Sequence, residues 1–282
     1  MLLLTTITAV RARRDEVSRT GMRVAFVPTM GALHEGHLAL VRRGLARADE
    51  VWASVFVNPT QFSPHEDFSS YPRDLERDRA ALEREGAALL FAPSTREMYP
   101  RPPATAVDVA GLTSGLCGLH RPGHFRGVAL VVAKLLNIVQ PQVALFGAKD
   151  WQQATVIRRL VEDLNIPTRI EVLVTVREDD GLALSSRNAY LGAEERLAAR
   201  VLWRSLQAAA GAARAGERRG TALEAVLARE VGREPLAGLQ YAAAVDPDTL
   251  QPLESIERRV LLALAVIVGS TRLIDNLLVE GL

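Results

Sequence analysis

The sequence predicts an α/β protein: a mostly parallel sheet in the N-terminal part and a smaller α+β domain after it. Three observations lead there. From residue 23 to about 174, short apolar runs rich in β-branched residues alternate with helical patterns, the signature of a parallel sheet covered on both faces. Pro, Gly or Asn closes most of these runs, as turn chemistry requires. Near residue 176 the texture changes to an alanine-rich helical stretch followed by strand-like runs, which sets the predicted division at 1–175 and 176–282.

Residues 23–27 form a short run, apolar after Arg23 and ending in Pro28, which predicts a first buried strand. After Thr29-Met30-Gly31, the stretch 35–48 places Leu38, Val41 and Leu45 at helical spacing. Residues 51–57 read as a strand that stops at Asn58-Pro59. A polar loop leads to Tyr71-Pro72, then a charged helix over 73–85, a strand over 88–91 and a Pro-rich surface loop over 93–103. Beyond it come an apolar helix (127–139), a strand (143–146), a helix (151–164) and a strand (169–174). The second domain is read as one long helix over 193–213, another over 221–231, and strands over 239–245 and 259–268.

Composition narrows the function. With 48% hydrophobic and 24% charged residues the chain is globular rather than disordered. A formal net charge of +1 and the lack of an aromatic-basic array argue against a nucleic-acid module or an acidic membrane surface as partner. The longest apolar run, 260–268, is far short of the roughly 18–20 residues that span a bilayer. At the start, arginines follow the apolar stretch instead of preceding it, the reverse of a secretory signal. The expected location is the cytoplasm. Cys117 is the sole cysteine, which rules out an intrachain disulfide and a cysteine zinc cluster; beside glycines it reads as an inert small residue. Lys134 and Lys149 are the only lysines in an arginine-rich chain, so an ammonium's compact charge is either needed there or a matter of chance.

In such sheets ligands bind beyond the carboxyl ends of the strands. Chemically capable residues sit there: 29–37 after the first strand, 58–61 after the second, and 147–150 after a later one. The first of these belongs to Pro28-Thr29-Met30-Gly31-Ala32-Leu33-His34-Glu35-Gly36-His37. Its glycines allow close backbone approach, the helix N-terminus offers free N–H groups, and the two histidines can face one anion. Gln61 carries an amide that donates and accepts at once, and Gln153 lies on the first turn after Asp150. Lys149 can reach phosphates; Asp150 can accept from ribose hydroxyls or simply cap the helix. Ser185-Ser186-Arg187 supplies two hydroxyls and a guanidinium, suited to charge on phosphate oxygens. Asp78 has two readings, a candidate metal ligand or a solvated helix carboxylate.

The decapeptide resembles the His-x-Gly-His signature of the nucleotidyltransferase superfamily, and in this form it resembles the pantoate–β-alanine ligase family. The likeness continues through Phe56-Val57-Asn58-Pro59-Thr60-Gln61-Phe62, Tyr71-Pro72-Arg73 and Arg121-Pro122-Gly123-His124-Phe125-Arg126-Gly127. Phe146-Gly147-Ala148-Lys149-Asp150-Trp151-Gln152-Gln153 and Asp180-Gly181-Leu182-Ala183-Leu184-Ser185-Ser186-Arg187-Asn188 complete it. Ordered blocks along most of the chain make this far more specific than a lone His-x-Gly-His.

The resemblance implies a Rossmann-like catalytic domain, a smaller lid domain, and ATP-dependent joining of pantoate to β-alanine through an acyl adenylate, with Mg2+ accompanying the ATP. It implies an ATP site of Met30, Gly31, Ala32, Leu33, His34, Glu35, Gly36 and His37 with Gly147, Ala148, Lys149 and Asp150, completed by Val176, Leu184, Ser185, Ser186 and Arg187. Val176 would meet adenine through its backbone, and His37 would be the proton donor, with His34, Lys149 and the Ser-Ser-Arg group also catalytic. Gln61 and Gln153 would hold pantoate and, later, β-alanine. A homodimer is implied as well. Ala148 departs from the family's usual glutamate and Leu184 from its usual methionine; both departures spare the groups with chemical roles. Arg121 and His124 are family-like without an assigned role, and His65 and His120 are read as surface residues. Two other readings stand beside this one: an adenylyltransferase that stops at a dinucleotide product, and a nucleotide-binding sensor without turnover.

Overall fold

The computed structural model describes residues 1–64 and 66–282, so His65, read above as a surface residue, lies outside the described residues. Two compact units are formed. One holds Met1–Ala110, Arg121–Gly147 and Gln153–Val174; the other holds Gly111–His120, Ala148–Gln152 and Thr175–Leu282.

The first unit is built on a six-stranded parallel sheet: β1 (Leu2–Leu4), β2 (Val24–Thr29), β3 (Glu50–Val55), β4 (Leu89–Phe91), β5 (Val143–Gly147) and β6 (Arg169–Leu173). The strand order is β1-β4-β3-β2-β5-β6, a Rossmann-like arrangement. Its helices are α1 (Ile7–Arg19), α2 (Glu35–Leu45), α3 (Leu75–Arg84), the single turn α4 (Thr95–Met98), then, after the short α5 (Cys117–His120) of the second unit, α6 (His124–Val139) and α7 (Trp151–Asp163). Val24, Ala25, Phe26 and Val27 have no exposed surface, as expected of a strand covered on both faces. The chain runs β2 to β4 toward one edge and returns to place β5 on the other side of β2. That reversal between β2 and β5 is the topological switch point, where open α/β sheets leave a crevice beyond their carboxyl ends.

Pro28 does not end its strand, contrary to the sequence reading. Phe56 N–H donates to Thr29 O at 3.1 Å, and Gln142 N–H donates to Val24 O at 3.0 Å, so odd residues face β3 and even ones face β5. Pro28 therefore turns its missing donor toward β5, where pairing has already stopped at Phe26.

The second unit contains α8 (Ala193–Ala198), α9 (Val201–Arg214), α10 (Gly220–Val231) and an antiparallel sheet in the order β7 (Ala237–Val245), β8 (Arg259–Val268), β9 (Thr271–Glu280). Its core joins Leu202, Leu206, Leu223 and Leu227 to Leu262, Leu264 and Val266.

Several expectations are corrected. The alanine-rich helix is two helices, because Leu202 N–H bonds Ala199 O, a tight i to i+3 turn that ends α8. The loop over 93–103 contains α4, capped by the Ser94 hydroxyl and anchored by Met98, which has no exposed surface. Strand β1 and helix α1 were not anticipated. In α1 the buried stripe is Val10, Arg14 and Val17, with the Arg14 Nε donating to Gln140 O at 3.0 Å, so a charged residue hides the apolar period. Strand β9 was also missed, since buried Asp275 and Asn276 interrupt its apolar alternation.

Candidate active site

The turn between β2 and α2 is fastened from several directions. Thr29 Oγ donates to Ser54 O at 2.7 Å and accepts from Gly31 N at 3.1 Å. Gly31 and Ala32 both take left-handed backbone conformations, at φ 86° and 51°. Asp78, from α3, holds this unusual pair: Oδ2 accepts from Ala32 N at 2.9 Å and Oδ1 from Leu33 N at 2.8 Å. A side chain at position 31 would meet Asp78 Oδ2 at 2.8 Å, which explains the glycine twice over. The reading of Asp78 as a solvated helix carboxylate is overturned, because only 1% of it is exposed. Burial pushes its pKa up, against the pull of the two backbone donors.

His34 is the extended N-cap residue of α2, and His37 lies one turn in. Their rings are 4.1 Å apart between centroids and both are partly exposed, so the sequence-predicted pair is brought together. His34 N–H donates to His37 Nδ1 at 3.3 Å. An accepting Nδ1 leaves the proton on Nε2, which makes the far edge of His37 a donor. Glu35 is turned aside into an ion pair with Arg42, and Gly36 lies against the His34 ring.

Met30 and Gln61 meet directly: Gln61 Nε2 donates to Met30 Sδ at 3.2 Å. Gln61 ends the short 3-10 turn Pro59–Gln61 and is 8% exposed, so it is no ordinary loop residue. Asn58 Nδ2 donates to its Oε1 at 3.1 Å and to Gly127 O at 3.2 Å. Asn58 Oδ1 accepts from Tyr99 OH at 2.9 Å, Thr60 Oγ at 3.0 Å and Thr60 N at 3.4 Å; the acceptor-only Gly127 O and the donor-only Thr60 N–H fix the sense of the Asn58 amide. Helix α6 can approach this turn only because residue 127 is glycine; a Cβ there would stand 2.2 Å from Thr60 O. Arg121 and His124, left without a role by sequence, form a partly buried chain here. Glu66 pairs with both Arg121 Nε (2.6 Å) and Nη2 (2.8 Å), Arg121 Nη1 meets His124 Nε2 at 3.0 Å, and His124 Nδ1 meets Gln61 O at 2.8 Å. Burial pushes the Glu66 carboxyl up, but Arg121 and the Ser63 N–H outweigh it and hold it below the ordinary range. Gln153, the third residue of α7, is half-buried.

In the second unit, Ala148, Lys149 and Asp150 make a 3-10 turn. Asn276 Nδ2 donates to Ala148 O at 2.9 Å and to Lys149 O at 2.7 Å. Burial lowers the Lys149 pKa, while Asp150 and Asp275 favour its charge and Arg187 and Arg177 oppose it. Asp275 accepts from Arg177 Nη1 at 2.6 Å and Nη2 at 2.9 Å, and the Arg177 guanidinium lies 3.8 Å from the Trp203 ring centroid. This pair anchors a hairpin in which Leu184 N–H donates to Val176 O at 3.1 Å. Ser185 Oγ accepts from Arg187 N at 3.2 Å and caps the turn Ser186–Tyr190. Ser185, Ser186 and Arg187 are all partly exposed and Asp150 is exposed. Asp275 and Asn276 escaped the sequence reading. The signal was present: Gly269-Ser270 between two apolar runs marks a two-residue hairpin and hence a third strand carrying them. Cys117 is buried, its sulfur 3.3 Å from Tyr241 OH and 3.4 Å from Arg272 Nη2.

A parallel α/β sheet with a His-x-Gly-His helix start at its switch point defines the class: a nucleotide-using enzyme of the nucleotidyltransferase type. The model of the pantoate–β-alanine ligase family matches residues 2–278. A pantothenate synthetase of Moorella thermoacetica is 54% identical over 280 residues, covering 99% of this chain and 99% of its own. The crystal structure of a pantothenate synthetase from Thermus thermophilus superposes with a TM-score of 0.93 at 48% identity, covering 98% of this chain and 99% of its own. A pantoate–β-alanine ligase from Francisella tularensis, solved in complex with beta-gamma ATP and beta-alanine, is 33% identical with a TM-score of 0.81, covering 99% of this chain and 97% of its own. The chain belongs to the pantoate–β-alanine ligase family.

Proposed function

We propose that this enzyme condenses pantoate with β-alanine at the expense of ATP, giving pantothenate, AMP and pyrophosphate. A pantoate carboxylate oxygen attacks the α-phosphorus, and the bond to the β-phosphate oxygen breaks to release pyrophosphate. The β-alanine nitrogen then attacks the acyl carbon of the adenylate, loses a proton and expels AMP. Neither step needs a protein nucleophile, so catalysis consists of positioning and of neutralising charge on phosphate oxygens.

The observation that carries this reading is the fastened turn before α2, which sets His34, His37 and the helix N-terminus at the switch point. In this reading Met30, Gly31, Ala32 and Leu33 line the nucleotide and His37 Nε2 donates to its phosphates. Lys149, Ser185, Ser186 and Arg187 act on phosphate oxygens, Asp150 on the ribose and Val176 on adenine. Gln61 and Gln153 hold the acid. The roles of 1–175 as catalytic domain and 176–282 as lid, a homodimer, and a cytoplasmic location belong to the same proposal. Among the described residues no helix is long and apolar enough to cross a membrane.

Magnesium enters as the cation carried by ATP. Asp78 does not fit as its ligand, because its two oxygens already accept from Ala32 and Leu33. Among the described residues no three His, Cys, Asp or Glu gather as a metal site.

The test is AMP and pyrophosphate release from magnesium-ATP and pantoate, with and without β-alanine. AMP that depends on both substrates, with pantothenate accumulating in step, supports the reading. Pyrophosphate with pantoate but no amine-dependent AMP would remove β-alanine from it. A dinucleotide product, or ATP binding without any pantoate-dependent release, would replace it.

A further inference from the structure

We propose that His124 is a positioning residue for the acid substrate: held by Arg121 in one tautomer, it pins the main-chain carbonyl of Gln61 and so sets where the Gln61 amide points. This rests on Gln61 being the acid clamp of the reading above.

A guanidinium can only donate, so the 3.0 Å contact from Arg121 Nη1 makes His124 Nε2 an acceptor. The proton then lies on Nδ1, which donates to Gln61 O at 2.8 Å. Arg121 is itself fixed by the two-pronged pairing with Glu66, whose second oxygen also accepts from Ser63 N at 3.2 Å. Burial keeps this chain from dissolving into water: His124 is 8% exposed. The turn it grips is only three residues long and lacks the stiffness of a full helix. A hold on its final carbonyl is therefore a hold on the side chain of the same residue.

The amide itself is oriented by Asn58. Since Asn58 Nδ2 donates to Gln61 Oε1, the Gln61 NH2 is the end left to recognise a carboxylate or hydroxyl. Its present partner is the Met30 thioether, a weak acceptor that a substrate oxygen outcompetes. Backbone position comes from His124 and amide sense from Asn58. The two together make a donor aimed in advance, which lowers the cost of ordering it on binding.

The experiment is a set of variants of the full-length enzyme assayed by steady-state kinetics. Asparagine carries its amide nitrogen where histidine carries Nδ1, whereas glutamine carries it where histidine carries Nε2. His124→Ala should raise the pantoate KM on the order of tenfold, the effect of one lost buried hydrogen bond, and leave the ATP KM within about twofold. His124→Asn should recover most of that loss and His124→Gln should not. If His124→Ala fails to fold, His124→Gln against His124→Asn makes the same comparison. Gln61→Ala combined with His124→Ala or His124→Gln should be no worse than Gln61→Ala alone, because both changes remove one function. An unchanged pantoate KM in His124→Ala overturns the proposal. So do additive losses in the double variant, a parallel rise in the ATP KM, or glutamine rescuing as well as asparagine. If Gln61→Ala itself leaves the pantoate KM unchanged, the acid-clamp reading fails first and this proposal with it.

Discussion

Asn276 joins the Lys149 turn to strand β9, its one amide nitrogen donating to both Ala148 O (2.9 Å) and Lys149 O (2.7 Å). The lysine assigned to the phosphates is thus held through its backbone, next to the strand that anchors Arg177 through Asp275. Asn276→Ala would strand two carbonyls in a buried setting, costing roughly 1–3 kcal/mol. The expected outcome is a melting temperature lowered by several degrees and a kcat reduced about tenfold, with the pantoate KM within about twofold. Calorimetry and steady-state rates check this; a normal kcat in a destabilised protein would leave Asn276 a purely structural residue.

His37 accepts from the His34 backbone at Nδ1, so its proton sits on Nε2. His37→Ala should slow pantoate-dependent pyrophosphate release on the order of 100-fold or more, as loss of a transition-state donor does. His37→Gln, with an N–H at the Nε2 position, should retain more activity than His37→Asn. Equal rates for the two would show that the donor is not at Nε2.

Asp78 offers acceptors to two backbone N–H groups. Asp78→Asn keeps the shape but turns an NH2 toward one of those donors, a mismatch worth roughly 1–3 kcal/mol. A lower urea midpoint with an unchanged slope is expected, together with an ATP KM that rises because the Gly31-Ala32 turn relaxes. An unchanged midpoint would mean that the turn holds without the carboxylate.

Glu66 supplies a pH dependence. Its pKa is held below the ordinary value in the folded protein, so its contribution to stability is complete above the unfolded value of about 4.3 and is lost as pH falls through the folded one. Urea midpoints of the wild type and Glu66→Gln should therefore differ by a constant amount from pH 6 to 8 and converge below about pH 4. A gap that persists in acid would assign the effect to shape rather than charge.

The parallel sheet was legible because its inner strands are buried on both faces and read as apolar runs, as Val24 to Val27 do. The histidines of α2 were legible because they lie close together in sequence. What stayed hidden is what depends on distant partners. Asp78 sits 45 residues from Leu33, and Asn276 sits 127 from Lys149. A charged residue on a buried face reads as a solvated one until its partners are known, as Asp78 did, while Arg14 and Asp275 drew no reading at all. The roles of Arg121 and His124 stayed out of reach for the same reason: their contacts are with Glu66 and Gln61, across a loop.

The composition of the second unit bears on how the chain can be made. Residues 111–120 and 148–152 leave the ribosome long before the segments that they join. Gln152 finds Leu112 O and Gly115 O early, but Trp151 waits for Pro247, Cys117 for Tyr241, and the Ala148 and Lys149 carbonyls for Asn276. A nascent chain halted anywhere before residue 276 holds the Ala148 and Lys149 carbonyls without the Asn276 amide. Translation thus delivers the six parallel strands first and the fastening of Lys149 almost last.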